Sequence, residues 1–186
     1  MSDLDLSFRA LSVLHTSRFL FNKYGFHNVG VDRIIASANV TKTTFYKYFH
    51  SKARLIEMSL TFQKGALKEK VFSLIHLSHD LSVQEKLKKI YFLHVDIESF
   101  YHLPFKAIFE LEKTYPEAYQ VATDYRHWLI KEIHQLILTQ KGKATVEDAY
   151  LFLFVIDGAM VRLLEENKVD ERDKLLDYFL FMVFEV

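Results

Sequence analysis

Between Asn39 and Lys52 the chain reads NVTKTTFYKYFHSK, with four Phe/Tyr rings, three lysines and three threonines in fourteen positions and no glycine or proline. Rings at that density call for burial, whereas lysines call for solvent or a counter-charge, so a single short helix must sort them onto different sides. With Phe45 as the inward reference and about 100° per residue, Thr41, Phe49 and Lys52 fall on its side. Thr43, Lys47 and His50 fall opposite, Thr44 and Tyr46 flank, and Lys42 and Tyr48 lie at the core edges. Lys42 stands in the first turn, so its long side chain can reach past the helix end. Phe45 and Phe49 then anchor the helix, and the remaining hydroxyls and ammonium groups suit phosphate oxygens and base edges. The plainer alternative is an amphipathic helix with a solvated basic face.

A second group of chemically capable residues is His94, Glu98 and His102, spaced i, i+4, i+8 and therefore on one face if a helix runs through them. Imidazole and carboxylate are suitable ligands for a divalent metal, and a polar stripe without metal has the same spacing. His127 with His134, and His76-x-x-His79, carry the same ambiguity. No metal site is assigned. The chain has no HExxH, no paired Glu-x-x-His, no nucleophile elbow and no phosphate loop, so no enzymatic activity and no cofactor are expected.

The elements that position these residues read as helices almost throughout. Leu6 to Tyr24 is periodic in apolar residues and ends at Gly25, suited to a left-handed cap. Val31–Ala38 is a short helix. Thr41 caps a third helix reaching Phe49, and Ser51 caps a long fourth to about Ile75. Ser82-Val83-Gln84-Glu85 is a capping box for a fifth helix to about Tyr101. Pro104 and Pro116 fit the first turns of the next two, the second running to about Gln140. Thr145 and Asp170 cap the last two. The fold class is all-α, with about nine helices, and the division expected is 1–50 and 51–186.

Composition narrows the class further. Half of the 186 residues are apolar and 26% are charged, enough for a substantial core. Five glycines and two prolines are too few for the tight turns of a sandwich or barrel. The absence of cysteine excludes disulfides and thiolate metal sites. No basic-then-apolar leader opens the chain, and the longest apolar runs, Ala149–Ile156 and Tyr178–Phe184, are short of the roughly 18 residues that span a bilayer. A soluble, cytoplasmic protein without a membrane partner is expected. The net charge is zero overall, yet residues 1–60 hold eight Lys/Arg against four Asp/Glu. The first part is thus suited to a polyanion and the rest to something else.

A helix of roughly twenty residues, a short helix, the turn Ala38-Asn39-Val40 and another short helix make a helix-turn-helix unit. With Gly25-Phe26, Val31 to Val40 and Thr41 to Lys52 at their spacings, residues 8–60 resemble the N-terminal domain of TetR/AcrR transcriptional regulators. The resemblance implies a DNA-binding regulator of transcription, a repressor, with Lys42 and Thr43 near base edges. It places Thr44, Tyr46, Lys47, Tyr48 and Lys52 mainly on phosphates, Lys47 matching no fixed residue of the motif. Three departures stand out: Asn39 replaces the usual turn glycine, Val29-Gly30 lacks the usual hydroxyl before the second helix, and Thr43 replaces a smaller residue.

The stretches Leu151–Ile156 and Tyr178–Phe184 are apolar all round, and helices of that kind must be covered on two sides. A second copy of the chain supplies the cover, giving a homodimer through a four-helix interface. Leu151, Val155, Gly158, Ala159, Phe179, Met182 and Val183 are the candidate contacts. A central place in the monomer is the alternative. The resemblance further implies a small-molecule effector bound between the fourth and seventh helices. The candidates there are Tyr91, His94, Glu98, Tyr101, His102, Phe105, Phe109, Tyr125 and Trp128, a set suited to a small, partly hydrophobic ligand.

Overall fold

Helices form where caps and apolar spacing coincide. The computed structural model describes residues 8–165 and 169–184, and among them it places nine α-helices and no strand. These are α1 (Phe8–Tyr24), α2 (Val31–Ser37), α3 (Lys42–Phe49), α4 (Lys52–Phe72), α5 (Val83–His94), α6 (His102–Glu110), α7 (Pro116–Lys141), α8 (Val146–Glu165) and α9 (Val169–Phe184). A π-helical turn, Ser73–Leu77, follows α4. Leu6, expected to open the first helix, lies outside the described residues. The last helix is described from Val169 on, and the side chain of Asp170, expected to cap it, lies outside the described residues.

The expected caps do their work at several ends. Thr41 Oγ1 accepts from the Thr44 amide at 3.1 Å, and Ser51 Oγ from Arg54 at 3.1 Å. Ser82 and Glu85 form the reciprocal capping box, 3.2 and 2.8 Å. Gly25 takes φ +80° and Asn39 φ +51°, the left-handed backbone their positions require.

One element departs from expectation. The apolar period continues past His94 toward Tyr101, but α5 stops at His94. Asp96 Oδ1 accepts from the Glu98 amide at 2.8 Å and Ser99 Oγ from the Tyr101 amide at 3.2 Å. Such local side-chain acceptors compete with the helical ladder, and here they win.

The chain divides into two compact units, one from the residues up to Gln63 with Leu103–Ala122, the other from Lys64–His102 with the residues from Thr123 on. In the first, Val13, Leu14 and Phe21 of α1, Ile34 of α2, Phe45 and Phe49 of α3, and Leu55 and Ile56 of α4 close one core. Leu103, Ala107 and Leu111 from far along the sequence complete it. In the second, Leu87 and Ile90 of α5, Ile133 of α7, Phe152 and Ile156 of α8, and Phe179 of α9 are buried.

Candidate nucleic-acid interface

The frame around α3 is rigid because its two inward rings have no exposed surface, with Phe45 and Phe49 5.6 Å apart. Each ring buried in this way contributes about 1.5–3 kcal/mol. The opposite side of α3 presents Lys42, Thr43, Tyr46 and Lys47 to solvent, with Thr44 and Tyr48 half-buried beside them. Thr44 spends its hydroxyl locally, 2.9 Å from that of Thr41. The edge of Tyr46 packs on Phe45, and the Lys47 ammonium lies 5.5 Å from the Tyr48 ring. Two hydroxyls and two ammonium groups therefore face away from the core on one short helix, with the hydroxyls of Thr44 and Tyr48 at its half-buried edges.

Two of the positively charged candidates are held by neighbours. Lys42 Nζ lies 2.9 Å from Asp32 Oδ1 of α2, and this carboxylate raises the lysine's pKa. Lys52 Nζ donates to the His27 carbonyl at 3.4 Å and lies 6.0 Å from the Tyr115 ring, and partial burial lowers its pKa. Sequence reasoning missed the pairing of Asp32, although an acid in the first turn of α2 was visible as the odd charge in a basic segment. It also missed the support from α6. Glu110 Oε2 accepts from the Phe26 amide at 2.9 Å, its backbone carbonyl lies 2.8 Å from His27 Nε2, and Lys106 donates to the carbonyls of Phe21 and Asn22 at 3.2 and 2.9 Å. No local pattern could announce contacts across more than eighty positions.

In the second unit the ring candidates gather into a closed network. His94 is fully buried, and burial lowers its pKa to about 4. As a neutral imidazole it donates from Nδ1 to the Ile90 carbonyl at 2.6 Å and accepts at Nε2 from the Tyr125 hydroxyl at 2.6 Å. Tyr101 sets its ring edge-on to His94 at 4.7 Å, and burial raises its pKa. Arg126 reaches the Tyr101 hydroxyl at 2.6 Å and pairs with both oxygens of Asp157 on α8. Tyr91 donates to Asp173 at 3.1 Å, and Trp128 packs 5.7 Å from Tyr125. Glu98 is exposed in the turn after α5, and His102 Nδ1 lies 2.6 Å from the Ile97 carbonyl. His94, Glu98 and His102 thus do not share a helix face, which corrects the stripe expected from their spacing. Among the described residues no group of three His, Asp or Glu is placed to hold a metal ion. Phe105 (buried) and Phe109 (71% exposed) belong to the first unit.

One opening among the described residues of the second unit lies away from this network. A groove of about 730 Å³ is lined by Ala66, Glu69, Lys70, Ser73, Leu74, Lys89, Phe92 and Leu93, none of them among the nine candidates. On α8 and α9, Ala159, Phe179 and Val183 pack inward, while Leu151, Phe154, Tyr178, Phe181 and Met182 are exposed. Val155 and Gly158 are half-buried. Among the described residues no helix is long and apolar enough to cross a membrane.

With this geometry in hand, residues 13–58 match the family described as bacterial regulatory proteins, tetR family. No curated protein matches the chain. Solved structures match its fold over nearly its whole length. A TetR transcriptional regulator from Legionella pneumophila is similar with a TM-score of 0.78 at 14% identity, covering 100% of this chain and 98% of its own. A TetR-family regulator from Streptomyces coelicolor has a TM-score of 0.77 at 20% identity, with 94% and 92% covered. A transcriptional regulator from Saccharomonospora viridis, solved in complex with choline, has a TM-score of 0.78 at 16% identity, with 92% and 94% covered.

Proposed function

We propose that this chain, whose residues 13–58 match the tetR family of bacterial regulatory proteins, is a cytoplasmic transcriptional repressor without catalytic activity or cofactor. Residues 1–50 bind double-stranded DNA, and residues 51–186 dimerise and bind a small, partly hydrophobic effector. The observation that carries this reading is the sorting of α3. Its rings are locked inward while Lys42, Thr43, Tyr46 and Lys47 face solvent on the helix that reads DNA in helix-turn-helix proteins.

Lys42 and Thr43 contact base edges; Thr44, Tyr46, Lys47, Tyr48 and Lys52 hold phosphates. A homodimer formed through α8 and α9 presents two such helices to successive major grooves of a palindrome, roughly 34 Å apart. The exposed apolar side chains of those helices support that interface, and the choline held by the Saccharomonospora viridis neighbour supports a small-molecule effector. Effector binding shifts α4, which begins next to α3 at Lys52, and releases the operator. A coupling of about 1–3 kcal/mol suffices.

Recovery of genomic fragments bound by the purified protein tests the reading. One palindromic sequence should be enriched, and its neighbouring genes identify effectors to try. Lys42→Ala or Thr43→Ala should change the preferred sequence, whereas Lys52→Ala should weaken all duplexes alike and flatten the salt dependence. No enrichment, or three variants indistinguishable from the parent, would overturn it.

A further inference from the structure

The ion pair between α2 and α3 carries more than stability. Asp32 stands in the first turn of α2 and Lys42 in the first turn of α3, and they meet at 2.9 Å with side chains 80% and 70% exposed. So exposed a pair adds little to folding. On a face otherwise made of hydroxyls and ammonium groups, a carboxylate also opposes phosphate and weakens non-specific attraction.

We infer that Asp32 and Lys42 act as one reading unit for a single G·C base pair, with Asp32 as a specificity-determining residue. In the major groove guanine offers two adjacent acceptors, O6 and N7, and cytosine offers the N4 amino donor beside them. The Lys42 ammonium can bridge the two acceptors while the Asp32 carboxylate accepts from N4. An A·T pair separates its acceptors around the N6 donor and adds an apolar methyl, so it gives the ammonium one acceptor in place of two. The 2.9 Å contact keeps the donor and acceptor side by side before DNA arrives. Lys42 is held charged by the same neighbour. This inference rests on the DNA-binding reading above and sharpens it at one position.

Selection from a random duplex library, run with the parent, Asp32→Ala, Lys42→Ala and the double variant, tests the unit. The parent should enrich a half-site containing a G·C pair whose replacement by A·T weakens binding about tenfold. Asp32→Ala and Lys42→Ala should each lose that preference at the same single position and keep the others, and the double variant should lose no more than the worse single. Unchanged unfolding midpoints should accompany this, since both side chains are exposed. The inference fails if the two variants relax different positions, if the shared position is not G·C, or if Asp32→Ala strengthens every duplex alike and keeps the preference. A parent that enriches no sequence overturns the DNA-binding reading itself, a different result.

Discussion

Glu110 on α6 accepts a 2.9 Å hydrogen bond from the backbone nitrogen of Phe26, 84 positions earlier in the chain. The bond satisfies an amide freed where α1 ends, and Gly25 makes room for it. With φ +80°, a Cβ on that residue would come within 3.2 Å of the carboxylate. Replacing Glu110 by Ala leaves the Phe26 amide without its charged acceptor, and a loss of about 1–2 kcal/mol is expected. Urea unfolding measures it, with Glu110→Gln as the comparison because its amide oxygen still accepts. If the Ala variant unfolds with the parent, the loop is held by the neighbouring contacts of Lys106 and Lys52.

The buried imidazole of His94 sets a pH dependence. Its pKa is about 4 in the folded chain against 6.5 when exposed, the cause being burial. Because the folded value is depressed, its contribution is complete above pH 6.5, falls as the unfolded chain takes up the proton, and is exhausted near pH 4. The span is worth on the order of 3 kcal/mol. Chemical unfolding at pH 7 and pH 4.5 should therefore differ more for the parent than for His94→Phe, which cannot titrate there. Equal differences would show that other groups set the acid sensitivity.

Local chemistry made most of the helix ends legible. Thr41, Ser51 and the Ser82/Glu85 box are satisfied within three residues, so their sequence is their mechanism. The inward placing of Phe45 and Phe49 followed from period alone. What escaped was decided by competition or distance. The end of α5 turned on Asp96 and Ser99 capturing nearby amides, against an apolar period that still ran on. The clamp of Lys106 and Glu110 on the end of α1 joins residues more than eighty apart. On α8 and α9 the sequence showed excess apolar surface without dividing it between the chain's own core, which takes Ala159, Phe179 and Val183, and the exposed side.

That exposed side yields a third prediction. Phe154 is 61% exposed and Tyr178 63%, with Leu151, Phe181 and Met182 near half. If a second copy covers them, Phe154→Glu places a carboxylate in an apolar interface, at a penalty of several kcal/mol. Sedimentation should then show a monomer, with helical content by circular dichroism unchanged because the side chain lies outside the monomer core. Binding to a two-half-site operator should weaken more than binding to one half-site. A variant that stays dimeric would place the interface elsewhere.

The junction between α3 and α4 holds strain of its own. His50 has φ +59° and ψ −36°, and the Ser51 amide donates to the Phe49 carbonyl at 2.6 Å, closing a tight γ-turn around it. A side chain in this region of backbone space is unfavourable by about 1–3 kcal/mol. Glycine removes that strain while losing about 0.5–1 kcal/mol to its freer unfolded chain. His50→Gly is therefore expected to gain about 1 kcal/mol in denaturant unfolding, whereas His50→Ala, which keeps a Cβ, should gain nothing. A glycine variant no more stable than the alanine one would mean the turn is unstrained. A stabilised one would show that the chain accepts strain to turn directly from α3 into α4.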